Sequence, residues 1–485
     1  MIMDELLAPF RSGGRTVRML VLLYVLINAV VLTNAVLHDG RIQYDAPGHI
    51  QNLKDYGNLR YPNPAKTIQF FCPPLPYIVP GLFAGWFKLD VFTATKIGQV
   101  VNAGLSLLLT WTLLRMLAWA APDRPVARVA AIGLLGMMPV YYRTFAYMRG
   151  EPSVATFGLL SLYCTLRVFH GRATGWRPAV LLGLAMGLTA LSRQWGMLLL
   201  LACAAFAAVC CLRNPRGCVP LLKAGAIASV VAFALAGWYY IHLHIDHGSI
   251  TAFNKPPSAE RKPAAFLLGA GNGKLFSRPY RGSFNGQGGA VFYSDAWGDY
   301  WGYFLIGGRR RADGALVHGH GLLRAQSAGT FDALRTNRRP MSRYLGFTNR
   351  VALLPSIVFA AGLLGALLQA ARFASGRPLR NGEALRALFG MAVVVSLAGL
   401  VWFAMHYRIR EHSTVKATYM LQVFPLLAAL GGFVLDALHR RAPRVSRALA
   451  VLLVLSACCL APAWFTRYVP PTMADGIRRL DPLGF

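Results

Sequence analysis

An all-α polytopic membrane protein is the fold class this sequence predicts, on three observations. Of its 485 residues, 55% are hydrophobic and only 14% charged, with a mean hydropathy of +0.44. Apolar runs that approach or reach the roughly 20 residues needed to cross a bilayer recur along its whole length. Arginines gather in every second linker between those runs, as cytoplasmic loops do. A net charge of +31 would point a soluble chain toward nucleic acid. Here the linker arginines account for most of it, and no nucleic-acid partner is expected.

Arg11, Arg15 and Arg18 precede the first run, near 19–37, which reads as an uncleaved signal anchor although Thr33-Asn34-Ala35 imitates a cleavage site. In the polar stretch that follows, Leu75–Phe87 is apolar but too short to cross, and its prolines and aromatics suit an interfacial or re-entrant piece. Further spans are expected near 94–114, 129–142, 152–166, 178–192, 195–212, 220–243, 351–371, 387–406, 417–435 and 448–466. That gives about 11 transmembrane helices, with the N-terminus inside. The inner linkers then carry Arg115/Arg124/Arg128, Arg167/Arg172/Arg177, Arg213/Arg216/Lys223, Arg372/Arg377/Arg380/Arg386 and Arg440/Arg441/Arg444/Arg447, each with three or more basic residues. Three parts result: an N-terminal transmembrane module, 1–243, with its outer loop 38–93; a large outer loop, 244–350; and C-terminal transmembrane helices, 351–485. Short helices are expected in the outer loops. Seven of the eight cysteines lie in or beside apolar runs and only Cys72 in a polar loop, so no disulfide framework or zinc spacing is present. The absence of any Asn-x-Ser/Thr sequon, with an Ala/Arg-rich composition, favours a bacterial inner membrane, with the outer segments facing the periplasm.

Nearly every unusual residue falls in those outer segments. In QYDAPGHI, Asp45 and His49 stand four apart, so a helix would put both on one face, able to share a proton, hold a ligand or simply meet solvent. YYRTFAYMRGEP ends on Arg149 and Glu151, either a helix cap or a functional charged pair. LSRQWG sets Arg193 between two apolar runs, where arginine either snorkels or holds an anion. HLHIDH offers His242, His244, Asp246 and His247 as metal candidates, in a spacing that matches no zinc pattern. GAGNGK at 269–274 imitates a phosphate-binding loop but lacks its Ser/Thr and first glycine. FYSDAWGDYWGYF presents Trp297, Asp299 and Trp301, an interfacial aromatic belt or a platform for a sugar or lipid. HYRIREHSTVK carries Arg410 and Lys416 on the side where cationic loops are unusual, which a bound phosphate would explain.

With an acid in the first outer loop (YDAPGHI), PPLPY downstream, the acid-bearing RGEP and LSRQ, the chain resembles the GT-C superfamily of polytopic glycosyltransferases. It is similar to those using polyprenyl- or dolichyl-phosphate sugars, such as protein mannosyltransferases and aminoarabinose transferases. The resemblance implies a lipid-linked sugar donor, a glycan, lipid or protein acceptor, contact with membrane lipids, and outer-face catalysis. The mechanism expected on that footing is direct, inverting glycosyl transfer, with Asp45 as general base, His49 orienting it and Glu151 as a second acid that positions the acceptor or a metal. Arg149, Arg193, Arg410 and Lys416 would hold the donor phosphate. Ala46 stands where relatives often carry Glu, so a divalent metal ion is a candidate cofactor only, and activity is expected to survive chelation. The alternatives are a transporter or flippase for an isoprenoid-linked glycan, which would need charge within the spans, or an inactive scaffold of the same topology.

Overall fold

The computed structural model describes residues 14–254, 258, 273–277, 279, 287–305, 309–310, 316–317, 339–407 and 415–469. Among them the architecture is a helical bundle. Its helices are α1 (Gly14–Leu37), α2 (Ala46–Gly57), α3 (Leu75–Trp86), α4 (Val91–Ala120), α5 (Pro125–Gly136), α6 (Pro139–Ala146), α7 (Glu151–Thr165), α8 (Trp176–Ser192), α9 (Gly196–Leu212), α10 (Cys218–His247), α11 (Gly288–Trp297), α12 (Arg339–Val351), α13 (Leu353–Ala374), α14 (Asn381–His406), α15 (Val423–Arg441) and α16 (Pro443–Leu460). One two-residue ladder pairs 309–310 with 316–317.

Among the described residues eight helices are long and apolar enough to cross a membrane: α1, α4, α7 with its π-helical extension to His170, α10, α13, α14, α15 and α16 with its final turn. This is an integral membrane protein. Eleven crossings were expected, and the three others fall short for identifiable reasons. Pro139 cannot donate an amide and disfavours helix at the residue before it, so the expected 129–142 span breaks into α5 and α6, bent by 63°. If the pair crosses as one, the spans number up to nine. Helices α8 and α9 have 17 residues each, about 25 Å at 1.5 Å per residue, against a hydrocarbon core of about 30 Å. At the start of the loop expected from 244, α10 instead runs on to His247.

Local sequence explains several boundaries. Asp90 caps α4 by accepting from the Thr93 amide at 2.7 Å, and Glu383 reaches back to the Arg380 amide at the start of α14, 2.9 Å away. Helix α3, at 12 residues, is the expected short piece. It packs against α2 where Gly57 meets Gly81: a Cβ on either would run into the other's backbone. The chain turns back and forth so that the described residues of the segments around 38–90, 147–150, 193–195, 248–254, 287–305, 407 and 415–422 meet at one end of the bundle. The Arg-rich connections lie at the other.

Candidate active site

Asp45 is the N-cap residue of α2, in the left-handed conformation at φ 55° and ψ 28°, which Asp tolerates better than most side chains. It makes no side-chain cap bond; its Oδ2 lies 3.1 Å from Lys416 Nζ. Lys416 also donates to Tyr419 Oη at 3.2 Å, and its ammonium sits 5.0 Å from the Tyr44 ring centroid and 5.3 Å from that of Tyr419. The Arg149 guanidinium faces the same two rings at 5.6 and 5.5 Å. It grips Glu151 with two bonds, Nε to Oε2 at 2.6 Å and Nη2 to Oε1 at 3.0 Å. Arg193, in the extended break between α8 and α9, adds a 3.3 Å contact to Glu151 Oε1 and touches the Cys72 thiol with Nη1. Gly150 makes this convergence feasible. A Cβ there would collide with the Ser192 carbonyl and crowd Arg193, so the start of α7 and the end of α8 meet only across a glycine.

Among the described residues three cations thus face two carboxylates, and the surplus is positive. Burial, the largest single influence, would raise the Asp45 carboxyl, but Lys416 together with His49 and Arg149 outweighs it and holds the group well below the usual carboxylate range. Burial pushes the His49 imidazole well below its ordinary value, with Arg149 and Arg193 adding to the effect, so the ring is neutral at pH 7. Asp45, 28% exposed in its side chain, is the most open of the five charged groups, against 8% for Lys416 and less for the others. Donor capacity is left over: among the described residues Arg149 Nη1 is buried with no hydrogen-bond partner, and two of the three Lys416 donors are taken.

The structure therefore brings together Asp45, Arg149, Glu151, Arg193 and Lys416. Arg410 lies outside the described residues. His49 does not orient Asp45. Its Nδ1 lies 2.6 Å from Tyr77 Oη, the rings stack, and Nε2 is buried with no hydrogen-bond partner among the described residues. Helical spacing fails here because Asp45, as cap, stands outside the helical part of α2. Nor do Trp297, Asp299 and Trp301 form an exposed platform, for all three are buried. Trp297 stacks on Phe359, Trp301 donates to the Val415 carbonyl, and Asp299 accepts from the amides of Gly302, Phe304 and Leu305. His242 and Asp246 approach one another at 3.4 Å on α10, with His242 stacked on Tyr61 and His247 beside Phe70. No group of three or more His, Cys, Asp or Glu among the described residues is placed to hold a metal ion. Sequence reasoning missed Arg143, buried against Asp295 at 3.0 Å and Asp299 at 3.6 Å. An arginine in so apolar a stretch as YYRTFA was the available signal, because a buried guanidinium demands a carboxylate.

Fold and site define a polytopic helical membrane protein with a charged, partly open site at one end of its bundle. No family model and no curated protein matches the sequence. Among solved structures the chain is similar to ArnT from Cupriavidus metallidurans in the apo state, at 13% identity and TM-score 0.47, covering 90% of this chain and 63% of that one. It is similar to the archaeal oligosaccharyltransferase AglB from Archaeoglobus fulgidus, in complex with an inhibitory peptide and a dolichol-phosphate, at 15% identity and TM-score 0.49, covering 96% and 58%. ArnT from Cupriavidus metallidurans bound to undecaprenyl phosphate matches at 15% identity and TM-score 0.38, covering 87% and 78%. The chain spans less than two thirds of the length of the first two.

Proposed function

We propose that the chain is a GT-C-type glycosyltransferase, moving a sugar from a polyprenyl-phosphate donor to an acceptor hydroxyl with inversion at the anomeric carbon. The observation that carries it is the surplus of cationic donors, Arg149 Nη1 and the third Lys416 proton, beside the one partly open carboxylate, Asp45. A phosphate monoester or diester is the ligand class that such donors suit.

In this scheme the acceptor oxygen attacks the anomeric carbon, and Asp45 takes the hydroxyl proton. The bond from that carbon to the phosphate oxygen breaks, and its electron pair leaves on the polyprenyl phosphate. That leaving group is stabilised by cations and needs no general acid, a task for Lys416 and Arg149. Glu151 is saturated by two arginines, so its part is to hold them in place. Lys416 is shared: when it turns toward the donor phosphate, its grip on Asp45 weakens and the carboxylate becomes a better base. The Arg-rich connections at the opposite end of the bundle support an outward-facing site, in the periplasm if the membrane is a bacterial inner membrane.

Mass analysis of membrane glycolipids and surface glycans, in cells with and without the gene, tests this directly. A missing hexose or pentose that returns with the wild-type gene, but not with Asp45→Asn, is the expected result. Identical glycan profiles would refute the proposal.

A further inference from the structure

Asp45 and Lys416 lie 371 positions apart in sequence, yet one buried side chain reaches the immediate neighbour of each. Tyr44 Oη donates to Asp295 Oδ1 at 3.2 Å, and the Ala417 amide donates to Asp295 Oδ2 at 2.7 Å. Tyr44 precedes Asp45 and Ala417 follows Lys416, so the two oxygens of a single carboxylate tether both sides of the ion pair. Arg143 holds that carboxylate in turn, with Nη2 3.0 Å from Oδ1 and further bonds to the carbonyls of Asp295 and Gly298. Asp299 is different: its oxygens are occupied by three amides of its own loop, and it reaches neither tether. Asp295 is fully buried and touches no open part of the site, so any effect it has on a ligand passes through other residues.

We infer that Asp295 is a positioning residue, setting the spacing of Asp45 and Lys416 through Tyr44 and Ala417, with Arg143 as its counter-ion. This rests on the proposed donor site, because the quantity positioned is the Lys416 ammonium that meets the donor phosphate. A carboxylate suits the task better than a neutral side chain: it accepts two or more charge-assisted or amide bonds at once, and each fixes direction as well as distance.

The test is binding of undecaprenyl phosphate to the full-length protein in nanodiscs, for wild type, Lys416→Ala, Asp295→Asn and the double variant. Lys416→Ala should bind about tenfold more weakly, and Asp295→Asn by a similar factor. The double variant should be no weaker than Lys416→Ala alone, because the second change acts only through a lysine already gone. Wild-type affinity in Asp295→Asn overturns the inference. So do losses that multiply in the double variant, which would mean a general loosening. Should Asp295→Asn fail to fold, Tyr44→Phe carries the test, since it keeps the ring and removes only the hydroxyl. It should weaken binding several-fold in the wild-type background and not at all beside Lys416→Ala; no change in either overturns the inference. A wild-type protein that ignores undecaprenyl phosphate brings down the donor site itself. That is a separate failure from one in which Lys416→Ala loses affinity and Asp295→Asn does not.

Discussion

Two buried ion clusters lie at the same end of this bundle, and they are built on opposite plans. Among the described residues there is one cation for two carboxylates around Arg143, and backbone amides with one hydroxyl supply the rest: Ala417 and the Tyr44 hydroxyl to Asp295, and Gly302, Phe304 and Leu305 to Asp299. Around Asp45 there are three cations for two carboxylates, and among the described residues both acids are held by side chains alone. Amides cannot swing away, whereas Lys416 and Arg149 can exchange one anion for another. The contrast separates a cluster that fixes the chain from one left with room for a negative ligand.

The largest effect expected from breaking this contrast is catalytic. Asp45→Asn keeps the shape of the side chain but cannot take a proton, so transfer should fall by about 10²–10⁴ while the protein inserts and purifies as before. A turnover within a few-fold of wild type, with Glu151→Gln inactive, would move the base to Glu151. Next in size is a stability effect in the other cluster. Arg143→Ala leaves two buried carboxylates without their cation, which should cost about 3–5 kcal/mol, read as a lower unfolding temperature in detergent. An unchanged unfolding temperature would mean that the amides alone suffice.

How much of this was legible in the sequence follows from the same physics. Alternating Arg-rich and Arg-poor linkers put Asp45, Arg149, Glu151, Arg193 and Lys416 on one side of the membrane, because loop charge reports topology without any tertiary knowledge. Helix periodicity was less reliable at the edges. It paired Asp45 with His49, but the cap residue does not obey the helical period, and His49 turned to Tyr77. Trp297 and Trp301 read as a surface platform because aromatics at an interface and aromatics in a core look alike in one sequence. Only the packing against Phe359 and Val415 distinguishes them. The 63° break between α5 and α6 was signalled by Pro139 within a run otherwise apolar enough to be taken as one span.

A smaller effect concerns pH. The depressed Asp45 carboxyl stabilises the folded state above the unfolded carboxylate value of about 3.9, and that contribution is lost as pH falls through its lower folded value. The stability difference between wild type and Asp45→Asn should therefore be level from about pH 8 to 5 and shrink below about pH 4. A difference that changes near neutral pH would contradict the Lys416 pairing. Smallest of all is the expected response to chelation. With both carboxylates of the site already paired to side-chain cations, EDTA should leave transfer unchanged, and a loss restored by a divalent ion and abolished in His244→Ala would assign the metal to α10.

The central claim is that surplus positive charge beside Asp45 holds a lipid phosphate, and comparing undecaprenyl phosphate with undecaprenol tests it most directly. Both carry the same chain, so any difference in affinity comes from the phosphate. Wild type should bind the phosphate at least tenfold more tightly than the alcohol. Asp45→Asn should bind it as tightly as wild type or more so, because Lys416 is released, and Lys416→Ala should erase most of the difference. Equal affinity of wild type for phosphate and alcohol would contradict the account.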